Sequence, residues 1–228
     1  MKYPIKDLVK KEDPLFGHYV AQPLGAILVN LIYKLPISPN FVTIFSLISA
    51  IISCVLFIND SLLLGVLFLN LALILDCADG QLARIKNLKS NLGAYLDSFF
   101  DRIKDGLVIF GLAWGNYLFY RDENVLLIAF LGLLLFFIRK FNTYYRDIES
   151  LKKIQKTAEP NDLIKDDNTS QFKKSLKHSI FFKEADRILF FSIFILINQV
   201  YLGLLIYTII QALLMLASTY INLKKFNK

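Results

Sequence analysis

Residues 76 to 101 read D-C-A-D-G-Q-L-A-R-I-K-N-L-K-S-N-L-G-A-Y-L-D-S-F-F-D. The stretch sets Asp76, Asp79, Asp97 and Asp101 between two apolar runs, LFLNLALIL before it and VIFGLAWG after it. Ionisable groups in such surroundings are costly, and a run of them marks a functional site. The spacing narrows the reading. Asp76 and Asp79 are three apart, and Asp97 and Asp101 are four apart, so on two successive helices each pair projects from one face. Two facing carboxylate pairs repel unless cations lie between them. Ligands that are all oxygen suit hard divalent ions, Mg²⁺ or Mn²⁺ rather than Zn²⁺.

The chain around this stretch reads as a membrane protein. It has 228 residues, 55% of them hydrophobic, and a mean hydropathy of +0.49, too apolar for an ordinary soluble domain. Twenty Phe and eleven Tyr suit lipid contact and interfacial belts. Cys54 and Cys77 both fall in apolar segments, which argues against a disulfide framework. No cleavable signal peptide is expected, since MKYPIKDLVKKEDP is polar and lacks an apolar core. The net charge of +7 fits an anionic membrane surface and anionic substrates, and no nucleic acid is expected as a partner.

Apolar lengths predict an all-α integral membrane protein with six transmembrane helices, at about 40–59, 61–84, 92–119, 124–144, 184–199 and 201–222. Of the 26 Lys and Arg, only Arg121 falls in a predicted outer loop. The positive-inside rule then places both termini and the acidic cluster on the cytosolic side. An amphipathic interfacial helix is expected over 16–35, with Val20, Leu24, Ile27, Leu28, Leu31, Ile32 and Leu35 as its apolar stripe. A seventh span there would split the basic ends between two sides. Pro36, Ser38 and Pro39 turn the chain before Asn40 opens the first span. The predicted organisation is a cytosolic N-terminus and interfacial helix over 1–38 and a membrane domain over 39–228. Residues 146–180 form its cytosolic loop, helical at 147–157 and flexible around 158–170.

On the chemistry, small residues between the acids let a flat base or a pyrophosphate approach the backbone closely. Arg84, at the end of its helix, can hold a phosphate in a bidentate way. Arg139, Lys140 and Arg187 lie at predicted cytosolic helix ends and are candidates for an acceptor phosphate, although snorkelling explains most such residues. Arg102 and Lys104 adjoin Asp101 and offer charge to neutralise the cluster. His18 and His178 are isolated, and Trp114 reads as a packing residue.

The stretch also matches a known pattern, D-x2-D-G-x2-A-R-x8-G-x3-D-x3-D. Asp76, Asp79, Gly80, Ala83, Arg84, Gly93, Asp97 and Asp101 fill every fixed position. The chain therefore resembles the CDP-alcohol phosphotransferase family of integral membrane enzymes. Pro39, Asn40 and Thr43 are similar to the family's P-N-x-x-T element. The resemblance in motif covers residues 38 to 102. It implies transfer of a substituted phosphoryl group from a CDP-alcohol, such as CDP-diacylglycerol, to a second alcohol, with release of CMP, in phospholipid biosynthesis. Asp76, Asp79, Asp97 and Asp101 would ligate two Mg²⁺ or Mn²⁺ ions, and Asp101 would be the general base. Asp76, Gly80, Ala83 and Arg84 would hold the CDP moiety, with Asn40 and Thr43 lining the cytidine pocket. A homodimer is implied as well. The wording of the signature and the basic helix ends point to a polar polyol phosphate as acceptor, inositol phosphate or glycerol phosphate. Serine and diacylglycerol remain alternatives. A divalent-cation transporter or channel is the rival class. It fits less well, because the acids cluster at one membrane face and no broken helices occur in corresponding halves.

Overall fold

The computed structural model describes residues 2–9, 15–157 and 183–226. Among them every regular element is helical. In chain order they are α1 (Ile5–Leu8), a π-helical turn (Gly17–Ala21), α2 (Gln22–Ile32), α3 (Pro39–Ile58), α4 (Leu62–Ile85), α5 (Asn91–Tyr120), α6 (Asn124–Thr157), α7 (Glu184–Leu196) and α8 (Val200–Phe226). Helix ends follow local chemistry. Ser38 caps α3 by accepting from the Phe41 amide at 3.3 Å, with Pro39 at the first helical position. Ser90 caps α5 by accepting from the Gly93 amide at 3.0 Å. Asp60, Asn87, Arg121 and Asn198 take left-handed φ values of 55–56° just after α3, α4, α5 and α7. That conformation ends a helix, and Asn and Asp tolerate it better than most residues.

Four helical stretches are long and apolar enough to cross a membrane: Pro39–Ile58, Leu62–Ile85, Asn124–Glu149 and Val200–Lys225. The expected third and fifth spans are helical but do not reach that standard. The first half of α5 is charged, and α7 has only 13 residues, about 20 Å against the roughly 30 Å of hydrocarbon. Helix α6 runs on through 147–157, where the sequence predicts helix. The predicted flexible stretch 158–170 and His178 lie outside the described residues.

The chain divides into two compact units, Met1–Ala129 with Phe182–Leu204, and Phe130–Phe181 with Leu205–Lys228. In the first, α3 packs against both α4 and α5. Its inward face is small and polar, with Thr43, Ser46, Ser49, Ala50, Ser53 and Cys54 buried, while Phe41, Ile44, Phe45, Ile48, Ile51 and Val55 are exposed. Lipid tails solvate Leu and Ile as well as a protein core does, so membrane helices meet through small residues and hydrogen bonds. Ser46 Oγ donates to the Ala72 carbonyl and Ser53 Oγ to the Gly65 carbonyl, each at 2.8 Å. Gly111 and Gly115 of α5 lie so close to the α3 backbone at Cys54 and Phe57 that a Cβ at either position would collide with it.

The amphipathic segment differs in detail from its expected form. Pro23 offers no amide to the Tyr19 carbonyl, and the chain carries the π-helical turn over that stretch. Val20, Leu24, Ile27, Leu31 and Leu35 are exposed as one apolar face, whereas Gly25, Ala26 and Val29 are buried. Val29 packs with Val42, Ala78 and Leu82, which fastens α2 to α3 and α4. Two side chains of α4 and that of Lys86, just after it, tie earlier segments to the helix. Gln81 donates to the Gln22 carbonyl at 3.0 Å, Arg84 to the Leu8 carbonyl at 3.0 Å, and Lys86 to the Leu35 and Ile37 carbonyls at 2.7 and 2.8 Å. In the second unit, Asn142 Nδ2 donates to Thr219 Oγ1 at 2.8 Å, and Asn222 Nδ2 to the Asn142 carbonyl at 3.0 Å, joining α6 to α8.

Candidate active site

Helix α4 carries Asp76, Asp79, Gly80, Ala83 and Arg84, and α5 carries Gly93, Asp97 and Asp101. Close packing of both on α3 brings their acidic faces together. Asp76, Asp97 and Asp101 each present one carboxylate oxygen, and the three oxygens lie within 4.8 Å of one another. Asp79 is only 5% exposed, and its Oδ2 has no hydrogen-bond partner among the described residues. It is near enough to Asp97 for the two carboxylates to repel. A buried carboxylate oxygen without a donor, next to three converging acids, fits the ligand set of a hard divalent cation.

Beside the acids lies a cavity of about 250 Å³. Asn40 and Thr43 of α3, Asp79, Gly80, Ala83 and Arg84 of α4, and Gly93 and Asp97 of α5 line it, with Leu88, Lys89 and Ser90 from the turn between. Of the expected nucleotide-holding residues, Asn40, Thr43, Gly80, Ala83 and Arg84 line this cavity and Asp76 does not, while Asp97 belongs both to it and to the acidic trio. Gly93 is pressed between neighbours: a Cβ there would lie 3.1 Å from both Asn40 Oδ1 and Ser90 Oγ. A larger cavity of about 460 Å³, lined by residues such as Asp60, Asn116, Asp122 and Gln199, contains no signature residue. The signature residues line the smaller cavity instead.

Asp76 and Asp101 meet a different environment. Lys104, 4% exposed, reaches Asp76 Oδ1 at 2.5 Å, Asp101 Oδ1 at 2.9 Å and Glu184 Oε1 at 3.6 Å. It also donates to Ser46 Oγ at 3.3 Å. One turn along α5, buried Asp105 pairs with Arg102 at 2.9 Å and with Arg187 of α7. Asn70 Nδ2 donates to Ser192 Oγ at 3.2 Å and links α4 to α7. The sequence marks Lys104 and Arg102 as neutralising charges, and both meet the cluster, Arg102 through Asp101 at 3.8 Å. Sequence reasoning misses Glu184 and Asp105. Their signal is acids flanking apolar runs, the same signal that marks Asp76. Of the acceptor-phosphate candidates, Arg187 is buried beside Asp105. Arg139 and Lys140 belong to the second unit, where both cations lie over the Phe136 ring. His18 sits edge-on to Tyr19, and Trp114 stacks on Phe110.

The family model described as CDP-alcohol phosphatidyltransferase matches residues 36–158, more than half of the chain. The chain belongs to that family of transferases. Its integral membrane character follows from the four apolar helices and the membership together. Among curated proteins, an uncharacterized protein of Aquifex aeolicus is 39% identical over 107 residues, 47% of this chain and 54% of its own length. Archaetidylinositol phosphate synthase of Pyrococcus horikoshii is 38% identical over 98 residues, 42% of this chain and 51% of its own length. The chain thus spans about half the length of these curated relatives. Among solved structures, phosphatidylinositol phosphate synthase of Mycobacterium tuberculosis with CDP-DAG bound is similar in fold. The TM-score is 0.64 at 16% identity, over 86% of this chain and 92% of that one. The same enzyme in complex with manganese and citrate gives a TM-score of 0.66 at 16% identity, over 86% and 87%.

Proposed function

We propose that this protein transfers a phosphatidyl-type group from a CDP-alcohol such as CDP-diacylglycerol to the hydroxyl of a small polar alcohol, releasing CMP. The observation that carries the reading is the convergence of α3, α4 and α5. Asn40, Thr43, Gly80, Ala83 and Arg84 surround one cavity whose wall includes Asp97 of the acidic trio. A nucleotide in that cavity would place its pyrophosphate against the acids, with Arg84 in reach of a phosphate oxygen.

In the proposed reaction the acceptor oxygen attacks the phosphorus nearest the donor alcohol, and the bond from that phosphorus to the bridging oxygen breaks. CMP leaves with the electron pair, Asp101 takes the hydroxyl proton, and a phosphodiester results. Asp76, Asp79, Asp97 and Asp101 would hold Mg²⁺ or Mn²⁺, two ions, which when bound would neutralise charge on the phosphoryl oxygens. Small residues at Gly80 and Ala83 leave space for the nucleotide, and Asp76 contributes to holding it.

The acceptor we favour is inositol phosphate, with glycerol phosphate second and Arg187 holding its phosphate. Support comes from the names of the matched relatives, archaetidylinositol phosphate synthase and phosphatidylinositol phosphate synthase. In this reading α5 and α7 complete six crossings, the exposed apolar face of α2 lies in the inner interface, and the acids face the cytosol. Residues 1–38 form the surface segment and 39–228 the membrane domain, with 146–180 as its cytosolic loop, and two copies associate. Supporting the orientation is the one-sided distribution of Lys and Arg.

The test is CMP release from CDP-diacylglycerol by the purified full chain, with acceptors supplied one at a time. Release with inositol phosphate, absent with serine or diacylglycerol, is expected. Release with serine alone would overturn the acceptor, and no release with any acceptor would overturn the reaction. For topology, single cysteines near Glu123 and Lys225 are labelled from outside whole cells. Labelling at Lys225 but not at Glu123 would reverse the orientation.

A further inference from the structure

We infer that Lys104 is a built-in counter-ion of the acidic cluster, holding Asp76 and Asp101 together in the metal-free protein and competing with divalent cations for them. This rests on the reading of the cluster as a metal site. Lys104 is almost fully buried, and its ammonium has four oxygen neighbours within 3.6 Å: Asp76, Asp101, Glu184 and Ser46. Two of these, Asp76 and Asp101, are among the residues that present converging oxygens for a cation. The position follows from the sequence, since Lys104 is three residues past Asp101 and shares its helix face. From α5, Lys104 reaches both Asp101 on its own helix and Asp76 on α4, so the lysine is directed into the gap between the helices.

The consequences have opposite signs. A buried carboxylate pair left without its cation is destabilising, because each charge has lost its solvent and gained only repulsion. Removing Lys104 should therefore weaken the metal-free fold. The same removal deletes a positive charge within 3 Å of two metal ligands, so it should strengthen divalent-cation binding. A residue that merely filled space would weaken the fold without tightening the metal.

The experiment compares the full chain in detergent with Lys104→Met, which keeps the length and loses the charge, and Lys104→Arg, which keeps the charge. Mn²⁺ affinity is read from the electron paramagnetic resonance signal of free Mn²⁺. Thermal unfolding is followed in excess chelator and in Mn²⁺. Lys104→Met should bind Mn²⁺ about tenfold tighter or more, have a lower midpoint in chelator and gain more from added Mn²⁺. A Lys104→Met chain that folds only with Mn²⁺ present supports the inference equally. Lys104→Arg should stay within about threefold of the parent in affinity. Equal or weaker Mn²⁺ binding by Lys104→Met overturns the inference, and if the parent binds Mn²⁺ the metal site itself stands. Absence of Mn²⁺ binding in parent and variant alike overturns the metal reading and the inference together. Binding by Lys104→Met alone supports both.

Discussion

The acidic cluster has two flanks, and the fold treats them differently. On one, Asp79 and Asp97 line an open cavity together with Asn40 and Arg84. On the other, Asp76 and Asp101 are bridged by Lys104, and a cavity of about 20 Å³ lies beside Lys104, Asp105, Glu184 and Arg187. Four aspartates at regular spacing therefore have unequal surroundings. The open flank is bordered by a cavity of about 250 Å³. On the closed flank Lys104 pairs with Asp76 and Asp101, and Arg102 with Asp101. The lesson is that charge balance in a buried site depends on which neighbours the fold directs at each group, a property that spacing along one helix does not contain.

The largest effect belongs to the acid that joins the flanks. Asp97→Asn keeps the shape and removes a charge from both the trio and the cavity wall, and should reduce CMP release to background and lose Mn²⁺ binding. Retained turnover in the variant, or turnover by the parent in excess chelator, would break the comparison. Next comes Arg84, on the open flank alone. Arg84→Lys loses the planar fork but keeps the charge, and should weaken donor affinity roughly 10- to 100-fold, the equivalent of one charge-assisted hydrogen bond, with Mn²⁺ binding unchanged. The smallest effect is expected at Ser46, which touches only the closed flank through Lys104 and the Ala72 carbonyl. Ser46→Ala should cost about 1 kcal/mol in unfolding free energy and leave donor affinity within about twofold. A donor defect there as large as that of Arg84→Lys would show that the flanks are not separate.

The open flank was legible in the sequence, because its residues stand at fixed offsets within two adjacent helices and one short element before them. The start of α3 was legible too: Ser38 with Pro39 is a local signal that the backbone obeys. The closed flank was legible only in part. Lys104 could be suspected from its three-residue distance to Asp101, but its bridge to Asp76 depends on how α4 and α5 pack. Arg187 and Asp105 are 82 positions apart, and nothing periodic relates them. The same holds for the π-helical turn before Pro23, which the apolar stripe expected over 16–35 does not reveal. Length and apolarity alone single out α3, α4, α6 and α8 as crossings, whereas the charged half of α5 and the short α7 dilute that signal.

The central claim is that Asp101, although it sits on the closed flank, acts on the acceptor hydroxyl rather than holding the donor. It is tested by single-turnover CMP release and CDP-diacylglycerol affinity in Asp101→Asn and Asp76→Asn, measured side by side on the full chain. Removing a positioned general base lowers a rate by ~10² to 10⁴. The account predicts that fall in Asp101→Asn with donor affinity close to the parent, and a loss of donor affinity as well in Asp76→Asn. Normal turnover in Asp101→Asn, or a loss of donor affinity matching that of Asp76→Asn, would contradict it.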